Sequence, residues 1–211
     1  MADVLGSRRG ILQKYCKGKD VLDLGCAGGI GEDRDKFTHD AIRDVARSLL
    51  GVDINAGIVE ECRRKGYDVI CADAQDLSLG RKFDVVFAGE LIEHLEDQGL
   101  FLRSVRKHIR PGGLLMISTP NAHDAAYHIN RLLGRMKDDY EKSRGIGHVV
   151  MHSYGTLRLL LERSGFKVRE YHYICSICQT RRRRLMGLIT RIFPDFSESV
   201  LVVAEPARPP E

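Results

Sequence analysis

Short apolar runs alternate along this chain with stretches whose apolar residues recur every three or four positions. The runs DVLDLG, LLGVDI, YDVICA, FDVVFA, LLMIST, FKVREYHYI and SVLVVAE read as seven strands. Helical spacing is found over Ser7 to Cys16, with Ile11, Leu12 and Tyr15 inward, and near His39 to Leu50, with Ile42, Val45, Ala46 and Leu49 inward. Further helices are predicted from about Ala56 to Lys65, ended by Gly66, and from Gln98 to Ile109, N-capped by Asp97. A last one runs from Tyr154 to Ser164 and stops at Gly165, while Pro111-Gly112-Gly113 turns into the fifth strand. Strands alternating with helices predict an α/β fold: one domain over residues 1–211, a seven-stranded, mostly parallel sheet with helices on both faces. Two stretches break the rhythm. Residues 121–147, polar and rich in His and Arg, are expected as an insertion over the carboxyl ends of the strands. Residues 175–195 form a basic connection before the last strand, with a short helix near Arg181 to Ile192.

Composition changes this picture little. With 43% hydrophobic and 29% charged residues in 211, the chain has the balance of one ordered core rather than a disordered polymer. A net charge of +4 is too mild to point to nucleic acid. The run Arg181 to Arg184, followed by Arg191, reads as a solvated face or as a contact for a phosphate-bearing acceptor or a membrane surface. No run approaches eighteen apolar residues, and MADVLGSRRG lacks the layout of an export signal, so six cysteines are expected as reduced thiols in the cytoplasm. Cys175 and Cys178 make one CxxC without a second pair, in an apolar run that favours buried thiols over zinc or redox chemistry.

In a parallel sheet, ligands bind beyond the carboxyl ends of the strands, where strand order reverses. Four predicted strand ends suit a nucleoside. DLGCAGG (Asp23 to Gly29, with Gly25, Cys26 and Ala27) lets backbone approach a ligand. Asp53, followed by Ile54, suits two ribose hydroxyls, and Asp73, followed by Ala74, suits an exocyclic amine. Gly89 and Glu90 follow the fourth strand. The loop reads Gly-Cys-Ala-Gly-Gly-Ile, so the G-x-G-x-x-G dinucleotide fingerprint fails at its second and third glycines, against a nicotinamide dehydrogenase.

The order VLDLGCAGG, GVDI, ADAQDL, FDVVFAGELIEHL, IRPGGLLMISTPN and LERSGF resembles the class I S-adenosylmethionine-dependent methyltransferases over nearly the whole chain. The resemblance implies a Rossmann-like sheet with a final antiparallel strand. It also implies S-adenosylmethionine as cofactor: Asp23 and Gly25 at its methionine moiety, Asp53 at the ribose, and Asp73 with Ala74 at the adenine. The family's usual middle glycine is Ala27 here, and the gap from Gly29 to Asp53 is longer than in compact members.

GELIEHLED supplies the candidate chemistry, because one helical turn would set Glu90, Glu93 and His94 on a single face. His148 and His152 follow the insertion, His123 and His128 lie in it, and His39 and His172 look peripheral. GELIEHL, STPN and GHVVMHSYGTLRLLLERSGF resemble methyltransferases of small molecules and glycans, including the ubiquinone-biosynthesis O-methyltransferases. That resemblance implies Glu90 at the methionine end and His148 facing the acceptor. Glu93, His94 and His148 are then the catalytic set, Glu93 and His94 walling the acceptor pocket without a metal. The small-RNA 3′-terminal 2′-O-methyltransferases share E-x-x-E-H and a downstream histidine. That alternative makes Glu90, Glu93, His94 and His148 ligands of a divalent ion, although their double-histidine stretch is HVVMHSYG here. A non-catalytic cofactor-binding subunit is a further alternative, against which the cofactor loop is intact.

Overall fold

The computed structural model describes residues 3–5, 7–28, 38–134, 147–175 and 190–207. Eight strands form one sheet: β1 Asp3–Leu5, β2 Asp20–Leu24, β3 Ser48–Asp53, β4 Val69–Cys71, β5 Phe83–Gly89, β6 Ile109–Pro120, β7 Phe166–Ile174 and β8 Ser199–Pro206. Their spatial order is β1-β7-β8-β6-β5-β2-β3-β4. β8 runs antiparallel to both β6 and β7, and every other pairing is parallel. The seven predicted strands are all present. The eighth, β1, is a three-residue strand that adds itself to the edge beside β7.

Helices cover both faces. α1 Arg9–Cys16 and α2 Thr38–Arg43 pack Leu12, Cys16 and Ile42 on Val21, Val85, Phe87 and Met116. α4 Gln98–Lys107 and α6 Tyr154–Arg163 pack Phe101, Leu102, Val105, Leu157 and Leu161 on Leu22, Val86, Leu115 and Val202. α3 Ala56–Arg64 sets Val59 and Cys62 against Val69 and the loop residues Cys26 and Ala27. α5 Ala125–Leu132 follows β6. Burial pushes the Cys16 thiol up to about 12, so it behaves as a small core hydrophobe. Among the described residues no helix is long and apolar enough to cross a membrane.

At two places a helix gives way to a strand earlier than the sequence pattern expects. α2 stops at Arg43 rather than Leu50, because Leu49 and Leu50 are drawn into β3 beside Val21 and Leu22. α4 ends at Lys107, and Ile109 opens β6 by pairing with Phe83. Pro111-Gly112-Gly113 then appears as an irregularity in the β5–β6 register, between the Phe83–Ile109 and Val85–Leu114 pairs.

One close packing point underlies the loop that follows β2. Gly51 pairs with Asp23 in the β2–β3 ladder, and a Cβ there would lie 2.5 Å from Cys26 Sγ, 3.0 Å from Val69 and 3.1 Å from the His39 ring. Gly51→Ala is therefore expected to lower stability by about 1–3 kcal/mol through overpacking. Urea unfolding measures this, and an unchanged midpoint would show that the neighbours yield without cost.

Candidate active site

β2 lies between β3 and β5, so its exit loop faces the exits of both neighbours. Gly25 turns with φ +71°, a conformation that favours glycine. Its N–H and that of Cys26 both donate to the Val52 carbonyl, at 2.8 and 3.3 Å. Asp53 completes the hold: Oδ2 accepts from Ala27 N at 3.0 Å and Oδ1 from Asn55 N at 2.9 Å. Each carboxylate oxygen keeps a further lone pair for a ligand. Asp73 caps the 3₁₀ turn Ala74–Asp76 through Gln75 N at 2.8 Å. A cleft of about 270 Å³ is bounded by Gly25, Asp53, Ile54, Asp73, Ala74, Leu91 and His94, among others.

A second cleft, of about 240 Å³, shares Gly25 and is bounded by Arg8, Asp23, Cys26, His39, Gly89 and Glu90, among others. Glu90 is the one described non-glycine residue with positive φ, +50°. That strained backbone is held by three contacts. Its N–H donates to the Ser118 carbonyl at 2.8 Å, and its Oε1 accepts from Arg8 Nη1 at 2.7 Å and from Ser118 Oγ at 2.9 Å. Arg8, at the start of α1, has no signal in the sequence. It is one basic residue in SRRG, and only the tertiary fold carries it to the end of β5.

The helical-face expectation for GELIEHLED is corrected here. Only Ile92–His94 forms a 3₁₀ turn, and Glu90 sits before it in the left-handed region, directed at Arg8 and Ser118. Glu93 is fully buried. Its Oε2 accepts from Thr119 Oγ1 at 2.9 Å, while Oε1 is buried with no partner among the described residues. Burial first, and then the charge of Glu90, push the Glu93 carboxyl up from 4.5 to about 7. The Glu93 carbonyl accepts from Val149 N at 2.8 Å, and this bond brings the chain beyond the insertion onto the turn. His148 thereby meets His94 with ring centroids 4.8 Å apart and nearly perpendicular planes. One ligand atom each from Glu93, His94 and His148 lie within 4.8 Å of one another. His94 Nδ1 faces the Gly147 carbonyl at 3.1 Å.

The other histidines do not join this group. His152 is buried, bonded through Nε2 to Gln98 Oε1 at 3.1 Å, and burial lowers its pKa, so it is a neutral structural link. His128 Nε2 bonds the Ala122 carbonyl at 2.9 Å. His39 is not peripheral: it is buried beside the loop, with Nδ1 2.7 Å from Asp23 Oδ2. Cys175 is buried as expected but is disulfide-bonded rather than a free thiol. Cys178, Gly29, Arg181 to Arg184 and residues 135–146 of the insertion lie outside the described residues, while Arg191 is exposed.

Residues 8–171 match the family described as Methyltransferase domain, and the chain belongs to that family. Its fold and its relatives are those of class I S-adenosylmethionine-dependent methyltransferases. A Mycolicibacterium smegmatis protein named "Probable S-adenosylmethionine-dependent methyltransferase" is 37% identical over 113 residues, 52% of this chain and 41% of that protein. A ubiquinone biosynthesis O-methyltransferase of Rhizobium etli is 33% identical over 141 residues, 60% of this chain and 54% of that protein. The chain thus spans about half the length of the curated relatives it matches. The solved S-adenosylmethionine-dependent methyltransferase of Mesorhizobium loti shares the fold, with a TM-score of 0.64 at 23% identity, covering 93% of this chain and 94% of that one.

The raised Glu93 pKa makes stability depend on pH with a definite sign. A carboxyl whose folded pKa lies above its unfolded value contributes stability below about 4.5, lost as pH rises through about 7. Melting curves in EDTA should show wild type losing stability relative to Glu93→Gln between pH 4.5 and 7.5, by on the order of 3 kcal/mol. Parallel pH dependence of the two proteins would contradict the assignment.

Proposed function

We propose that the chain binds S-adenosylmethionine across the two clefts and directs its methyl group to a hydroxyl of a small molecule or glycan. The residues suit that ligand. Asp53, with both oxygens oriented by backbone N–H groups, suits the ribose diol. Asp73, Ala74 and the exposed Ile54 suit the adenine end, Asp23, Gly25, Cys26, Gly89 and Glu90 border the methionine end, and Ala27 is buried behind it with its N–H held by Asp53. Arg8 adds a cation on the same side, suited to the methionine carboxylate. When bound, S-adenosylmethionine supplies a methyl group on a cationic sulfur.

The chain's own tasks are to hold the acceptor oxygen about 3 Å from that methyl, to exclude water and to take the proton. His148 is the base in this reading. Its imidazole would take the proton of the acceptor hydroxyl. Buried Glu93 stands beside it, and His94 forms the wall between the group and the cofactor cleft. The convergence of Glu93, His94 and His148 beside a cleft bordered by Asp53 and Asp73 carries this reading. The ubiquinone biosynthesis O-methyltransferase relative supports oxygen as the acceptor atom.

The same three side chains support a second reading, a divalent cation that lowers the pKa of the acceptor hydroxyl. One carboxylate and two imidazoles suit such an ion, and the unpartnered Glu93 Oε1 supplies a free lone pair. Glu90 is not in this set, since Arg8 and Ser118 engage it. The RNA 3′-end version therefore keeps three of its four ligands.

Replacing His148 by Ala should lower kcat about 100-fold or more while calorimetric affinity for S-adenosylmethionine stays within about twofold. Wild-type turnover in that variant would remove His148 from the mechanism. Chelation separates the two readings: a base-only enzyme keeps its activity in EDTA, whereas a metal enzyme loses it and regains it with Mg²⁺ or Mn²⁺.

A further inference from the structure

Asp23 and His39 form a buried pair that the methyl-transfer mechanism does not use. His39 Nδ1 donates to Asp23 Oδ2 at 2.7 Å, and each residue is 3% exposed. The surroundings are shaped to seat the ring. Gly51, opposite Asp23 in the ladder, has no side chain, and the His39 ring and Cys26 Sγ lie where its Cβ would point. On another side Tyr67 meets the imidazole edge to face at 5.6 Å, and its hydroxyl donates to Asp40 Oδ1 at 3.0 Å. Arg43 covers the Tyr67 ring at 4.9 Å. Through His39, then, the start of α2 is bolted to the carboxyl end of β2.

The position of this bolt is informative. Two strand-end carboxylates neighbour the Gly25 to Gly28 turn. Asp53 holds the turn directly, through Ala27 N. Asp23, two residues before Gly25, instead pairs with His39, and both border the methionine-side cleft together with Gly25 and Cys26. A buried carboxylate robbed of its partner is strongly destabilised and relaxes toward water. Here the nearest relaxation is movement of the strand end and of the turn that follows it. Both residues border the cleft yet are almost wholly buried, so the contact between them bears first on the strand end and the turn.

We propose that His39 is a positioning residue for cofactor binding: by donating to Asp23 it fixes the end of β2 and the Gly25 to Gly28 turn in the conformation that receives the methionine half of S-adenosylmethionine. This rests on the cofactor reading above. The chemistry is that of a hydrogen-bond donor at Nδ1. An Asn at this position presents its amide nitrogen near the same place, and an Ala presents nothing.

Calorimetry with S-adenosylhomocysteine, alongside thermal melts, tests it. Wild type must bind; failure there overturns the cofactor reading itself. Given wild-type binding, His39→Ala should weaken affinity about tenfold or more, His39→Asn should return it to within about threefold of wild type, and kcat at saturating cofactor should move far less than KM. Unchanged affinity in a folded His39→Ala protein overturns the proposal, and so does a His39→Asn protein that binds as weakly as His39→Ala. Should His39→Ala not fold, the comparison moves to an Asp23→Asn background, where no buried charge needs a partner. Adding His39→Ala there should change affinity less than about twofold, because a residue that acts only through Asp23 shows non-additive effects. A further large loss in that background overturns the proposal.

Discussion

The site depends on the reversal of strand order at β2. With β3 on one side and β5 on the other, connections from β2 and β5 leave toward opposite faces, and a crevice opens between their exits that no helix can fill. Both clefts share Gly25, the first residue beyond β2, because that is where the reversal lies. The loop is shaped by backbone groups: two N–H donors converge on the Val52 carbonyl and a third on Asp53. Side-chain identity in Cys26 and Ala27 therefore matters less than smallness and burial, which explains how alanine serves where a glycine is usual.

Charge is distributed around this crevice by a simple rule. Asp23 has His39, Glu90 has Arg8, and Asp53 has two backbone donors. Glu93 is fully buried, and Thr119 alone among the described residues bonds its carboxylate. A carboxyl left in that condition resists ionisation near neutral pH. Glu93 differs from the other three in keeping one buried oxygen without a partner among the described residues.

Much of this was legible along the chain. Period-two and continuous apolar runs located seven of the eight strands, β4 with its three residues among them. Acidic and glycine residues at the ends of those runs located Asp23, Gly25, Asp53, Asp73 and Gly89, because in a parallel sheet the carboxyl ends share one edge. What could not be read were contacts made by residues with no periodic reason to be where they are. Arg8 and His39 each sit among other polar residues at helix starts, and their partners lie 82 and 16 positions away. Leu49 fitted both the helical spacing and the strand run LLGVDI, and pairing with β2 decided for the strand.

The sequence by itself determined the class of fold, the order of its elements and the residue types gathered at the strand ends, because periodicity and turn chemistry are local properties. Tertiary structure alone decided which of the acid–histidine candidates meet. GELIEHL suggested one helical face bearing Glu90, Glu93 and His94. A left-handed residue at the strand exit instead gave Glu90 to Arg8, and the Val149 bond to the Glu93 carbonyl brought His148 to the other two. Convergence of that kind depends on long-range backbone pairing, and no spacing along the chain encodes it.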